Sequence, residues 1–509
     1  MSSDAPAPTR VETGTAAAIA LLASALGSLT LRQDRSVDLF HYHIYNGYAL
    51  LAGRLDRDIA PAGVVTYFNP LLDAAYYAGI RHLPPRVFGA LLGALQGLNV
   101  FLVWAVARRT LGRPGWWLAP LAALLAGLGQ DAVSLLGTTL GDNTVSILAL
   151  AALLLTLGAD SPGVARALAA GLVGGAAVGL KPTTAAPHLG LAALVIWTAC
   201  RRRRARPPIA FALGTLAGWG VTNGWWAVAV CRRFGNPLYP LFNNLFNSPF
   251  SPPVFRLDPR WGVREPLDWL RPPVDAALGF HSRLQEAPFR DARLLLVFLA
   301  LLVWLVASWR NARSGPASPL PGLVLYWLVT YVTWLGAFHY YRYGAVLEFL
   351  APAVAFLLLK EAWSRSLPVA APLVAAALLL STSVSQWGRM PWSFWFNPRL
   401  PPLAQRPDQL VFLRDPVLSF AAPFFPPDSA FVGVAFELGP ATVEAIRARV
   451  ETHGGPFLLL QDPGSYDDTR VRRFGLAIDG PCEQVQLGRG HRLLLCPLGR
   501  LRERDAPGP

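Results

Sequence analysis

The stretch Ser36–Asp73, SVDLFHYHIYNGYALLAGRLDRDIAPAGVVTYFNPLLD, follows the first long apolar run of the chain. It is the first place where acids, histidines and tyrosines crowd together. Read as a helix from Asp38, the i+3, i+4 and i+7 positions are His41, Tyr42 and Tyr45, which share one face with the carboxylate. A carboxylate beside an imidazole and aromatic rings, at the mouth of a helix bundle, is suited to taking a proton and to stacking on a sugar ring. The plainer reading is a short helix lying flat on a bilayer, with its tyrosines at headgroup level. The rest of the chain decides between the two.

The 509 residues are 53% hydrophobic and 15% charged, with a mean hydropathy of +0.37. Those values belong to integral membrane proteins rather than soluble enzymes. The net charge of +14 comes almost wholly from arginine, Lys181 and Lys360 being the two lysines. Its basic clusters sit between apolar runs, so membrane lipids are the expected partner and nucleic acid is not.

Residues 1–14 are expected to form a disordered cytoplasmic tail, and 15–31 the first membrane helix. That helix lacks a strong basic flank and a small-x-small cleavage site, so it is expected to stay as an anchor. Apolar runs at 87–107, 115–128, 142–157, 166–180, 185–200, 209–230, 292–309, 321–338, 343–359 and 367–385 bring the expected spans to about eleven. With the N-terminus in the cytoplasm, Arg108, Arg109, Arg113, Arg166, Arg201 to Arg204, Arg310, Arg313, Lys360 and Arg365 all fall on the cytoplasmic side. The short outer turns then keep only Lys181 and Arg342, which is the asymmetry of the positive-inside rule.

The expected fold class is therefore an all-α polytopic membrane protein with a small α/β extracytoplasmic C-terminal domain. Its membrane domain is 15–385, with large outer loops 32–86 and 231–291, and 386–509 forms the outer domain. Within that tail, strands are predicted at 430–434 and 457–461, helices at 441–449 and 467–474, and two last strands around Gly488-Arg489-Gly490. Cys482 and Cys496 each lie seven residues from Arg489, so a hairpin centred there sets them opposite one another. Directly opposed residues have Cα atoms about 4.5–5.5 Å apart, within disulfide reach, and an outer compartment preserves such a bond. Cys200 and Cys231 fall at opposite membrane faces.

The polar groups of interest all face outward in this topology. Asp38, His41, His43 and Asp73 lie in the first outer loop, Asp131 and Asp142 bracket the second, and Lys181 heads the third. The long loop carries GNPLYPLFNNLFNSPF, and HYYRYGAVLEFL places Arg342 at the interface with Glu348 about a turn and a half inside the bilayer. An acid in a membrane segment marks function or an ion pair, here with Arg342 or Lys181. No HExxH or CxxC spacing exists; Asp38 and Asp142, from different loops, could hold a divalent cation such as Mg or Mn with oxygen ligands, and spacing alone leaves a metal open.

An acid just after the first helix (Val37-Asp38), a large first outer loop, a second acid at the next outer loop (Gly141-Asp142) and an outer C-terminal domain form a pattern. That pattern resembles the GT-C superfamily of polyprenyl-phosphate-sugar-dependent glycosyltransferases. FGNPLYPLFNN and RYGAVLEFL resemble segments of bacterial family 87-type members. The resemblance covers residues 15–385 and implies inverting transfer of a sugar from a polyprenyl-phosphate donor. The acceptor would be a glycan, lipid or other cell-envelope component on the outer face of the bacterial inner membrane.

The family's catalytic acid maps onto Asp38 and its second acid onto Asp142, although Leu39 stands where many members carry an adjacent acid. Arg342, a planar fixed charge, and Lys181 are the expected donor-phosphate ligands. His41, Tyr42, Tyr45, Asp73, Asp142, Asn236 and Glu348 are the expected substrate-binding residues. Two other classes compete. A lipid-linked oligosaccharide ligase or polymerase would use Arg256, Arg260 and His281 of the long loop, and a lipid or sugar transporter would show internal repeats and midplane charges.

Overall fold

The computed structural model describes residues 8–112, 115–157, 162–255, 258, 260–311, 320–395, 398–434, 438–464, 467–487 and 492–501. They form two compact units. The first unit is Met1–Arg32, Gly89–Gly224 and Asp258–Arg389, and the second is Gln33–Phe88, Trp225–Leu257 and Met390–Pro509.

Five helices are long and apolar enough to cross a membrane: Arg10–Leu31, Pro85–Thr110, Pro182–Arg201, Leu320–Ala337 and Tyr341–Trp363. Shorter apolar helices are Gly115–Gly127, Asp142–Thr156, Val164–Leu180, Arg293–Trp309 and Leu367–Ser381. The expected span at 209–230 is not one α-helix. It is built as the α-helix Arg206–Trp219, a π-turn Gly220–Gly224 and the α-helix Trp225–Phe234.

The first helix also begins earlier than its apolar run. It starts at Arg10, because Thr9 and Glu12 form a capping box. The Thr9 hydroxyl accepts the Glu12 amide at 3.1 Å, and the Glu12 carboxylate accepts the Thr9 amide at 2.7 Å. Residues 10–14, expected in the disordered tail, are thus helical, drawn in by two satisfied amide donors rather than by hydrophobicity.

In the first unit every residue from Ala345 to Leu359 is buried, which suits a helix apolar all round and set at the centre of its bundle. It packs against the helices Arg293–Asn311 and Leu320–Ala337, and Trp327 on the latter donates its indole N–H to the Leu347 carbonyl at 3.2 Å. The helices Val164–Leu180 and Arg206–Trp219 approach more closely than side chains would permit. A Cβ on Gly175 would lie 2.2 Å from the Thr215 carbonyl oxygen, and one on Gly218 would lie 2.0 Å from that of Leu172. Apolar helices without a hydrophobic drive between them associate through such small-residue contacts.

The second unit is organised on a seven-stranded sheet. Its strands run in the order Pro398–Arg399, Glu483–Leu487, Arg492–Arg500, Phe457–Gln461, Leu410–Leu413, Ala430–Gly433, with Leu476–Ile478 also pairing along Arg492–Arg500. Leu410–Leu413 is parallel to both of its neighbours; the other pairs are antiparallel. That strand is missing from the sequence reading because LVFL is four residues long, too short to show a period of two.

The segment Gln33–Phe88, expected as a loop of the membrane domain, belongs to this unit. Ile59 bridges Val432 in parallel at the free edge of Ala430–Gly433, and Ile59 joins the sheet's buried core with Phe412, Ile446 and Leu459. Burying Ile59 and covering an open strand edge both favour that placement. In the final hairpin, Glu483 pairs with Leu495 and Gln486 with Arg492, so Cys482 stands opposite Cys496. The two form a disulfide with Cα atoms 4.1 Å apart. The turn Gly488-Arg489-Gly490 itself lies outside the described residues.

Candidate functional site

In the first unit, three helix ends bring together two cations and one carboxylate. Asp142 is the first residue of Asp142–Thr156, and Gly141 before it takes a positive φ of 87° that lets the chain turn into the helix. Lys181 terminates Val164–Leu180. Arg342 lies in the 3₁₀ turn Tyr341–Gly344, directly before Ala345–Trp363. Lys181 Nζ stands 2.7 Å from Asp142 Oδ1 and donates to the Leu140 carbonyl at 2.6 Å. Arg342 Nε stands 3.7 Å from the other oxygen, Asp142 Oδ2.

Aromatic faces wall the cations in. The Arg342 guanidinium carbon is 5.2 Å from the Tyr340 ring, 5.5 Å from Tyr343 and 5.3 Å from Trp387. Lys181 Nζ is 5.6 Å from the Tyr343 ring. Asp142 is 3% exposed and Arg342 7%, so both charges interact in a poorly screened setting. Nearby Asp131 is buried, and burial pushes its carboxyl well above the ordinary range, with the charges of Glu348, Asp142 and Asp291 adding to the shift. Two cations thus meet on one carboxylate at the ends of apolar helices.

This arrangement corrects two expectations about the acids. Asp142 is engaged by both cations, so its donor set does not fit a divalent metal, and among the described residues no group of three or more His, Cys, Asp or Glu is placed to hold one. Glu348 contacts neither Arg342 nor a substrate-facing surface. It is 1% exposed and accepts the amides of Asp131 and Ala132 at the start of the short helix Gln130–Ser134. A carboxylate at a helix N-terminus satisfies otherwise orphaned donors.

In the second unit, Asp38 stands directly before a π-turn, Leu39–His43, which passes into the α-helix Ile44–Leu51. The wider π-turn breaks the 3.6-residue register that put His41, Tyr42 and Tyr45 on one face. Asp38, His41 and Tyr42 stay partly exposed, whereas Tyr45 is 1% exposed and donates its hydroxyl to Asp58 at 2.7 Å. Asp58 also takes Arg54 Nε at 2.6 Å and the Phe431 amide at 2.9 Å, so Tyr45 serves a buried knot rather than a ligand.

Asp73 likewise turns inward, accepting His43 Nδ1 at 2.6 Å with both side chains buried. His41 places Nε2 3.2 Å from the Ala62 carbonyl, and burial lowers its pKa although the charge of Asp38 pulls the other way. Asn236 is fully buried within its own loop: its Oδ1 accepts the Leu238 amide at 2.8 Å and its Nδ2 donates to the Leu241 carbonyl at 2.9 Å. Such an Asx turn closes the side chain to substrate.

Sequence reasoning missed Trp387, which follows the last apolar helix and has no spacing relation to Arg342. It also missed the Arg54–Asp58 pair, whose i,i+4 spacing was a readable signal. Of the long-loop residues, Arg260 is bonded to Asp258 and Glu286, and Arg256 lies outside the described residues.

No protein-family model matches the chain, and no curated protein matches it in sequence. Among solved structures, the chain is similar to the crystal structure of ArnT from Cupriavidus metallidurans in the apo state. The identity is 15% and the TM-score 0.40, over 96% of this chain and 97% of that one.

Proposed function

We propose that this chain is a multi-pass membrane glycosyltransferase that moves a sugar from a polyprenyl-phosphate donor to a cell-envelope acceptor, with inversion, on the outer face of the membrane. The observation that carries the proposal is the pair Lys181 and Arg342 on one buried carboxylate, walled by Tyr340, Tyr343 and Trp387 at the ends of apolar helices. Paired cations beside a membrane segment suit a lipid-borne phosphate, and the aromatic faces suit the sugar it carries.

In the reaction, the acceptor hydroxyl oxygen attacks the anomeric carbon, and the bond from that carbon to the phosphate oxygen breaks. The lipid phosphate departs with its negative charge held by Lys181 and Arg342. Asp38, a partly exposed carboxylate, takes the hydroxyl proton. The cytoplasmic arginine clusters and a disulfide in the C-terminal domain both support a cytoplasmic N-terminus and a periplasmic tail.

The test is transfer of radiolabelled sugar from polyprenyl-phosphate donors by membranes containing the protein. Label should reach an envelope fraction with the parent chain and fail to do so with Asp38→Asn. Consumption of diphosphate-linked oligosaccharides instead would replace this reading with the ligase.

A further inference from the structure

We propose that a cavity inside the second unit is a binding site for an acidic sugar residue, a single ring bearing a carboxylate or a phosphate. The cavity has a volume of about 310 Å³, at the small end of the roughly 300–1,000 Å³ typical of small-molecule sites. Such a volume holds one sugar-sized group and not an isoprenoid or acyl chain.

One wall is aromatic and already fixed. Phe234 stacks on Tyr239 at 4.1 Å, meets Phe250 edge-on at 5.1 Å and leans on Tyr67 at 4.5 Å. Tyr67, Phe234 and Phe250 line the cavity with Ile59. Rings held in this way present rigid faces to the C–H side of a sugar at little entropic cost.

The other wall is the helix Pro440–Thr452, whose two faces differ. Val443, Ile446 and Val450 pack into the sheet's core, while Thr442, Ala445, Ala448 and Arg449 face the cavity. The helix is pinned in place where the Thr442 hydroxyl donates to the Phe250 carbonyl at 2.8 Å and the Ala441 amide to Pro249 at 3.2 Å. Volume therefore survives because methyl-sized side chains oppose aromatic ones across a fixed gap.

Charge selects the ligand. The cavity is lined by Arg233 and Arg449 and by no acid. Arg233 spends Nη1 on the Leu55 carbonyl and on Asp56, which leaves the Nε and Nη2 edge of its fork unused among the described residues. The Arg449 guanidinium has no carboxylate partner among them either. It sits in the last turn of its helix, where the dipole favours a cation. Two forked donors beside aromatic faces match a ring that carries an anion. If the proposed transfer reaction holds, this is where an acidic acceptor residue is gripped; only that role rests on that reading.

The experiment measures binding of glucuronate, glucose 6-phosphate and glucose to the full-length protein in detergent, by saturation-transfer NMR and calorimetry. Both acidic sugars should bind at least about ten-fold tighter than glucose, and their ratio reports whether carboxylate or phosphate is preferred. Arg449→Gln, which removes a side chain the fold does not use, and Ala448→Leu, which fills the cavity, should each weaken them by about ten-fold or more. Arg447→Gln, outside the cavity, should not. Equal binding of glucose, no binding at all, or affinities unchanged in both cavity variants overturns the site. Acidic-sugar binding without any polyprenyl-phosphate turnover upholds the site and sinks the transfer reading alone.

Discussion

Glu348 receives the backbone N–H of Asp131 on both carboxylate oxygens, at 2.9 and 3.0 Å, deep in the first unit. Its partner helix, Gln130–Ser134, is one turn long and has no side-chain cap of its own. Glu348→Ala leaves the buried amides of Asp131 and Ala132 without an acceptor, which should cost about 3 kcal/mol of stability. Denaturant unfolding in micelles measures it. Because Glu348 is a positioning group, activity per folded molecule should persist; a variant as stable as the parent but inactive would contradict this.

Asp142 couples Lys181 to Arg342, so Asp142→Asn should loosen both cations. Donor KM is expected to rise about ten-fold while acceptor KM changes little. Arg342→Lys keeps the charge but loses the planar fork and the cage geometry, and should act in the same direction. A change confined to acceptor KM would remove the phosphate assignment.

Asp38→Asn preserves the size of the side chain and abolishes its basicity. Transfer should fall by roughly 10²-fold or more with insertion and folding unchanged. Near-normal turnover would take Asp38 out of the reaction.

His41 makes the second unit acid-sensitive. Its imidazole is held below the usual value near 6.5 by burial, only partly offset by Asp38. The unfolded chain therefore binds more protons from about pH 6.5 downward, and stability must fall as the pH drops through that window. His41→Gln should flatten the decline in melting temperature between about pH 7 and 5. An unchanged slope would show that other groups carry it.

The Cys482–Cys496 bond closes a loop of sequence separation 14. Without reductant, thiol reagents should label only Cys200 and Cys231, both exposed. Cys482→Ser should destabilise the C-terminal sheet by about 3 kcal/mol on loop entropy. Labelling of all four cysteines in protein from an oxidising compartment would refute the pairing.

What the sequence determined by itself is whatever depends on neighbours along the chain. Apolar runs mark the helices, and the count of residues about Arg489 sets Cys482 opposite Cys496. Even the early start of the first helix was readable in the spacing of Thr9 and Glu12.

Tertiary structure alone decided what each isolated acid and amide does. Asp142 meets Lys181 and Arg342 from distant helix ends, Glu348 caps a helix more than 200 residues away, and Tyr45 turns inward because a π-turn shifts its face. Asn236 and Asp73, which looked available, are consumed by bonds within their own unit. The physical reason is that a hydrogen bond or ion pair depends on a few ångströms of separation in space. Periodicity fixes only which face of one element a residue occupies, so the partner stays unknown until the elements are packed.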